Sequence, residues 1–448
     1  MSTIGTMDHL LDLAAIETGM LSAEALALAR LSLFDWMVVA RAGAQEPLSQ
    51  IIRAFVIEEG GRADATVIGS TARVPARAAA LANGTMSHAL DYDDTHFAHI
   101  GHLSVGIMPA ALAVAERCGL PASRLPEAFL VGAEAACRVG LVLGRQHYKR
   151  GFHQTATAGA FGATIAAGRL LGLDRGRMQH ALSLVSTRAS GLKSQFGTMG
   201  KPFNAGIAAS NGIEAATLAE AGFVSCDDGI GGAQGFLATH TDDAVEARGW
   251  AEPPPSRFVF LENTYKLHAC CHGTHAMLNA LLEARLRRDI RPDDVVRIEV
   301  RTNPHWLSVC DIKHPRTGLE VKFSYAYLAG MVLHGIDTAS DRAFSNALGT
   351  DPALAAIAAL VTVTGDAELS DTATILTVTL ASGERVEVMH DLAERAPQAQ
   401  TEDGLRSKAT ALLGKTVAER LWSAVTVLER LTARELAGRL TDGAGTLS

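Results

Sequence analysis

The chain is predicted to be mainly α-helical with an α+β part: a large all-helical domain and a smaller α+β domain inserted into it. Three observations lead there. Apolar residues recur at helical spacing almost without interruption over residues 7–221. Period-two alternation arrives only later, at 295–301 and at 373–380, where Ser382-Gly383 turns the chain into 385–389. Helical spacing then returns at 402–413 and 417–430. A helical domain built from both ends of the chain, 1–265 with 396–448, around an inserted α+β domain at 266–395 accounts for that order. A length of 448 residues suits two domains.

The elements follow in order. Helices are expected at 7–17, 22–42, 47–58, 76–90, 105–118, 124–143, 155–171, 175–186 and 205–221. Ser22 followed by Glu24 is an N-cap signal, and Gly60-Gly61 is a stop. In the inserted part, helices at 272–287, 320–333 and 352–361 lie between the strands. The chain is 48% hydrophobic yet only 5% aromatic, so its core is built of Ala, Leu and Gly, which suits close helix contacts.

Composition removes several functions. A net charge of −8, with no block of five like charges, argues against a nucleic-acid surface. No stretch of about 18 apolar residues is free of charged or polar breaks, so no membrane span is expected. The N-terminus lacks the basic and apolar regions of a signal peptide. Six cysteines in no regular framework suit reduced thiols and a cytoplasmic setting.

The densest chemistry lies in Asp91-Tyr-Asp-Asp-Thr-His-Phe-Ala-His-Ile-Gly-His102, between two helical runs. A solvated loop whose aspartates cap the next helix would explain one or two of the acids, but not three histidines beside them. His96, His99 and His102 are spaced by three, which invites a metal. On a helix, however, the third would drift about 120° from the first, and Gly101 interrupts a helix here. An acid/base site without metal or other cofactor is the expectation. Cations gather elsewhere. Lys201 lies in the turn Gly197-Thr-Met-Gly-Lys-Pro-Phe-Asn-Ala-Gly206 before a small-residue helix, where an anion would fit, but the order is not that of a nucleotide loop. Lys266 opens Lys266-Leu-His-Ala-Cys-Cys-His-Gly-Thr-His275, whose adjacent cysteines read as buried small residues rather than zinc ligands. Arg316 and Lys322, with Tyr327, flank another helix start, and His153 follows Gly151-Phe152.

At these residues the chain resembles the MmgE/PrpD family, which includes 2-methylcitrate dehydratase, cis-aconitate decarboxylase and iminodisuccinate epimerase. The resemblance runs nearly end to end. It is carried by Ala89-Leu-Asp-Tyr-Asp-Asp-Thr95, Gly151-Phe-His153, Gly197-Thr-Met-Gly-Lys-Pro202, Lys266 with Ala269-Cys-Cys271 and Thr274-His275, and Lys322-Phe-Ser-Tyr-Ala-Tyr327. It implies a large helical domain with a smaller α+β lid, a homodimer, no metal, and active-site groups at Asp91, Thr95, His102, His153, Lys201, Lys266 and Tyr327. After Asp-Asp-Thr the family often carries His-Pro, whereas this chain reads His102-Leu-Ser104, so His99 is an alternative for the position given to His102. Within the family the chain looks most like the iminodisuccinate epimerase branch.

These reactions all form or quench a carbanion beside a carboxylate of a small di- or tricarboxylate. Such charge needs cations and donors aimed at it. Lys201, Lys266, Arg316 and Lys322 fit as cations, and Thr95 and Tyr327 as neutral donors. His102 and His153 are the candidate bases or acids, with Asp91 orienting an imidazole. Epimerisation is the leading expectation. A lyase of the same family is the alternative, and a non-catalytic metal- or anion-binding protein is the alternative from another class.

Overall fold

A computed structural model describes residues 5–441. Two compact units emerge: one holds the chain up to Tyr265 and from Leu413 onward, the other Lys266–Leu412. In the first unit the helices are α1 (Thr6–Ala14), α2 (Ala23–Gly43), α3 (Pro47–Glu59), α4 (Ala76–Ser87), α5 (Ser104–Arg117), α6 (Arg124–Arg150), α7 (Gln154–Leu171), α8 (Arg175–Ser186), α9 (Gly200–Glu220) and the short α10 (Phe236–His240) and α11 (Glu246–Trp250). A small hairpin pairs β1 (Ala65–Thr66) with β2 (Arg73–Val74).

The second unit carries α12 (His275–Arg287), β3 (Val295–Thr302), α13 (Pro304–Cys310), α14 (Gly318–Val321), α15 (Tyr325–Leu333), α16 (Pro352–Ala358), β4 (Val361–Gly365), β5 (Ala373–Leu380), β6 (Arg385–Asp391) and α17 (Gln398–Leu413). Its sheet runs β4-β3-β5-β6, with β3 and β4 parallel and the other pairs antiparallel. α12 and α15 pack on it around Leu281, Ile298, Val300, Leu328 and Leu376. The first unit ends with α18 (Lys415–Thr426) and α19 (Ala433–Thr441).

A helical domain with a smaller α+β part is thus the observed architecture. Ser22 caps α2 by accepting from Ala25 N at 3.3 Å, and Gly60 stops α3 at φ +70°. Several boundaries differ from the expected ones. α17 belongs to the second unit rather than the first, because it buries Leu405, Lys408 and Ala409 and sets Gly404 against Leu267. α6 runs on to Arg150, broken at Gly144, which only a glycine accommodates at φ +67° and ψ −177°. The helix expected at 320–333 is two, because Ser324 leaves the helix and caps α15. The helix expected at 352–361 ends at Ala358 and β4 begins at Val361, a strand whose alternation is Val-Thr-Val-Thr, so that threonine hides the apolar face. α9 starts at Gly200, so Lys201 stands in the first helical turn, where Pro202 is tolerated.

Small residues set how closely the helices of the first unit approach. A Cβ on Gly132 of α6 would lie 2.5 Å from the Gly162 carbonyl of α7, and one on Gly162 would lie 2.5 Å from the Gly132 carbonyl. A Cβ on Gly84 of α4 would lie 2.9 Å from Gly206 Cα of α9 and 3.1 Å from the Val105 carbonyl of α5. A Cβ on Gly212 of α9 would lie 2.5 Å from Ala163 Cβ of α7, so α7 and α4 both pack closely on α9.

Candidate functional site

The ends of these helices carry the histidines. His88 caps the C-terminus of α4, His102 stands just before α5, and His153 is the N-cap residue of α7. Lys201 lies in the first turn of α9. The ring centroids of His88 and His102 are 4.6 Å apart, those of His88 and His153 6.1 Å, and those of His102 and His153 6.5 Å.

The loop between α4 and α5 is locked from within. Asp94 accepts from Ser104 N at 3.0 Å, Ser104 Oγ at 2.8 Å and Asn263 Nδ2 at 2.9 Å. Burial and the neighbouring Asp93 push its carboxyl up, against these bonds. His96 pairs its backbone with Gly101, donates Nε2–H to the Val259 carbonyl at 2.9 Å and accepts His99 N at Nδ1. His99 is pressed against α6, where a Cβ on Gly140 would lie 2.5 Å from its Nδ1. Burial, then His96 and His102, lower His99 to about 3. His96 and His99 are therefore buried neutral packing groups. Among His96, His99 and His102, it is His102 that faces the other site residues.

His102 has a defined tautomer. Its Nδ1–H donates to the Asp94 carbonyl at 2.7 Å, and Asp93 Oδ2 lies 2.9 Å from the same nitrogen. Only acceptors surround Nδ1, so in the neutral ring the lone pair is on Nε2. Nε2 lies 3.6 Å from Asp91 Oδ1, too far for a hydrogen bond. The other Asp91 oxygen pairs with Lys201 Nζ at 2.7 Å. Asp91 sits at φ +50°, a region that aspartate tolerates better than most residues. Asp91 had been expected to orient an imidazole. Asp93 and the Asp94 carbonyl do so instead, because the buried side of the ring faces them.

His153 has the opposite tautomer. Asn204 Nδ2, held by the Leu192 carbonyl at 3.3 Å, donates to His153 Nδ1 at 3.1 Å. Nδ1 is thus an acceptor and Nε2 carries the proton. Burial first, then His88, Lys201 and His102, hold His153 well below the usual histidine range, so it is neutral at pH 7. The Phe196 ring meets it edge-on at 5.0 Å.

Thr95 Oγ1 is buried without a hydrogen-bond partner, a donor without an acceptor, while its backbone pairs with Thr264 in both directions. The remaining expected residues lie in the second unit. Lys266 and Tyr327 are buried there, and Ser324 caps the turn that holds Tyr327. Lys322 pairs with Asp341 and stacks over Phe344, and Arg316 is exposed, its backbone N–H bonded to Glu320.

Among the described residues, the donor atoms of His88, Asp91, Asp93 and His102 lie within 4.8 Å of one another, a spacing that could admit a metal ion. Those donors are already engaged. Asp91 holds the Lys201 ammonium, so an ion drawing on Asp91 would have to displace that cation. His88, Asp93 and Asn204 were not singled out from the sequence. His88 ends an alanine-rich helix and looks like its last polar residue, and Asn204 is revealed only by its place one turn after Lys201.

Residues 13–247 match the sequence profile of the MmgE/PrpD N-terminal domain, and residues 268–430 that of the MmgE/PrpD C-terminal domain. The chain belongs to the MmgE/PrpD family. It is 29% identical over 279 residues to a cis-aconitate decarboxylase-like protein, oryM, of Aspergillus oryzae, covering 58% of this chain and 57% of that protein. It is 29% identical over 273 residues to cis-aconitate decarboxylase of Aspergillus terreus, covering 56% and 54%. The Homo sapiens cis-aconitate decarboxylase is 27% identical over 279 residues, covering 59% and 56%. Each match spans little more than half of the relative's length. No helix among the described residues is long and apolar enough to cross a membrane.

Proposed function

We propose that this MmgE/PrpD protein is a lyase that decarboxylates a small polycarboxylate through a carbanion beside a remaining carboxylate, without a metal or organic cofactor. One observation carries this: His102 and His153 hold opposite tautomers. His102, flanked by Asp93 at Nδ1 and Asp91 at Nε2, is the imidazole placed to carry a proton to or from carbon. His153 is neutral with one N–H, and giving that proton away would leave an imidazolate. It therefore acts as a hydrogen-bond donor to developing negative charge, as neutral imidazoles elsewhere polarise carbonyls.

In the proposed step a carbon–carbon bond breaks, carbon dioxide leaves, and the electron pair stays on carbon, delocalised toward the neighbouring carboxylate. Lys201 and the His153 N–H lie against that charge. His102 enters this step as the imidazolium, with a proton on each ring nitrogen. Its Nε2 proton forms the new C–H bond, the ring is left neutral with its Nδ1–H, and a proton taken up from solvent restores it. The Aspergillus terreus and Homo sapiens relatives, both cis-aconitate decarboxylases, support the same reaction class.

Epimerisation through two imidazoles, as of iminodisuccinate, is the second reading, and dehydration of 2-methylcitrate a third. Both ask a second group for a proton. For His153 that means becoming an imidazolium, which burial, Lys201 and His88 oppose, although Asp91 favours it. Lys266, Arg316, Lys322 and Tyr327 belong to the second unit, and their substrate contacts, like a homodimeric state and a cytoplasmic setting, stay part of the proposal.

The test combines substrate and variant. In deuterated water the enzyme is given cis-aconitate, 2-methylcitrate and single-enantiomer iminodisuccinate, and carbon dioxide release, water loss and deuterium gain with inversion are followed. Carbon dioxide release, with deuterium at one product carbon, is expected. His153→Ala should lose about 100-fold or more in kcat, and His153→Gln, which keeps an N–H donor, should recover much of it. Inversion of iminodisuccinate with His153→Gln as inactive as His153→Ala would make His153 the second proton carrier and the protein an epimerase.

A further inference from the structure

His88 has no role in the reaction outlined above, yet its placement is highly specific. It is fully buried at the end of α4, and its Nδ1 lies 2.8 Å from Asp93 Oδ1. Asp93 is fully buried as well, and its other oxygen stands 2.9 Å from His102 Nδ1. One carboxylate thus takes the His88 hydrogen bond on one oxygen and sets the other at ion-pair distance from His102, whose Nδ1–H is given to the Asp94 carbonyl, with the two rings 4.6 Å apart. Burial pushes the Asp93 carboxyl up, but His102 and His88 outweigh it and hold it well below the usual range. Asp93 therefore contributes a full negative charge with no solvent to screen it.

His88 does not take that charge's proton. Burial lowers it more than Asp93 raises it, with Lys201 and His102 also lowering it, so it remains neutral. Its Nε2 is buried with no hydrogen-bond partner, which suits a lone pair and leaves no exit for a proton. His88 is a fixed donor into Asp93, and His102, whose Nε2 faces the half-exposed Asp91, is the imidazole that exchanges protons.

We propose that His88 is a positioning residue for the reaction: by donating Nδ1–H to Asp93 it takes up part of the carboxylate's charge and holds Oδ2 beside His102, which sets how tightly His102 keeps its proton. This rests on His102 being the proton carrier of the proposed reaction. Without His88, Asp93 would turn its whole charge on His102. The ring would hold its proton too tightly to deliver it to carbon. The groups facing His102 are Asp91, Asp93, His88, His153 and the neutral His99, with Lys201 bound to Asp91; His88 is faced by Asp93, His102, His153 and Lys201.

The experiment is a titration of the full chain, labelled with ¹⁵N in its imidazoles and followed by NMR, on the wild type, His88→Phe and His88→Asn. Phenylalanine keeps the ring volume without the donor, and asparagine keeps a donor near the Nδ1 position. In His88→Phe the His102 midpoint should rise by about one pH unit, since one unit is the scale of one charge-assisted hydrogen bond. The acid limb of kcat against pH should move with it, kcat should fall by about 10-fold or more, and KM should change little. His88→Asn should restore both. A midpoint that stays or falls in His88→Phe, or that moves equally in His88→Asn, overturns the proposal. Should His88→Phe not fold, the wild type decides: the His88 Nδ1–H signal should shift with the His102 midpoint, and a signal indifferent to it overturns the sharing of Asp93. The NMR titration needs no substrate. Absence of turnover on every polycarboxylate would sink the proposed function and leave this result standing.

Discussion

Gly84→Ala tests whether close helix packing builds the site. Gly84 lies on α4, one turn before His88, and its added Cβ would meet Gly206 Cα at 2.9 Å, Gly206 N at 3.1 Å and the Val105 carbonyl at 3.1 Å. All three neighbours are backbone, so no side chain can swing away. Ordinary carbon–carbon contact needs about 3.5–4.0 Å, so α4 and α9 must separate by roughly 0.6–1 Å. These helices carry His88 at one end and Lys201 with Asn204 at the other. A displacement of about 1 Å in a reacting arrangement can cost about 100-fold, so a loss of about 10- to 100-fold in kcat is expected. Stability should fall by about 1–3 kcal/mol from overpacking, offset by up to about 1 kcal/mol from alanine's helix preference.

The matched control is Gly159→Ala on α7, where the new Cβ would meet only Ala208 Cβ at 3.8 Å and the Gln154 carbonyl at 4.0 Å. There the helix preference acts alone, and about 0.5–1 kcal/mol of stabilisation is expected with kcat unchanged. Calorimetric melting read beside kcat distinguishes the two variants. Equal melting temperatures and equal kcat for Gly84→Ala and Gly159→Ala would refute the claim that backbone contact between α4 and α9 positions the site.

Three further outcomes are expected. Lys201→Ala should lower kcat by about 100- to 1,000-fold, since it removes the cation beside the developing charge while Asp91 remains; a change confined to KM would show that it only binds substrate. Exhaustive dialysis against a strong chelator should leave turnover unchanged, and activity lost and then restored by one divalent ion would return His88, Asp91, Asp93 and His102 to consideration as ligands. Acid should destabilise the fold below about pH 6.5, the unfolded histidine value: burial lowers His99 to about 3 and His147 to about 4, so unfolding takes up protons between those values and about 6.5, with stability lost at about 1.4 kcal/mol per pH unit for each group as pH falls, and urea midpoints flat from pH 7 to 4.5 would contradict this.

Much of the fold was legible because helical periodicity is strong in an alanine-rich chain. α2, α3, α7 and α8 lie within a residue of the positions read from spacing, and β5 coincides with its expected range. What spacing could not show was tertiary. Whether α17 packs on the first or second unit depends on Gly404 leaving room for Leu267. β4 is an edge strand recognised by its pairing with β3 rather than by its own residues. In the site, the loop of aspartates and histidines was conspicuous, but which of its members face substrate and which serve packing depends on partners far away in sequence. His96 is held by Val259, Asp94 by Asn263, and His99 by Gly140. His88 was hidden because a single histidine at a helix end carries no signal until Asp93 is seen beside it.

The two histidines most visible in the sequence look equivalent there, which is why a two-base epimerisation follows naturally from it. The fold makes them unequal. His102 meets a backbone carbonyl and a carboxylate at Nδ1, both acceptors, so its outer nitrogen is free to take and give a proton. His153 meets an amide donor at the same ring position, so its outer nitrogen is already protonated, and its ring, buried near Lys201 and His88, resists a second proton. Swapping those roles would require turning the Asn204 amide, which the Leu192 carbonyl holds in place. With the proposed roles, one proton carrier and one fixed donor suit a reaction that quenches a single carbanion better than one that must run symmetrically from either face. The asymmetry originates in α9, which supplies both Asn204 and Lys201 from consecutive turns.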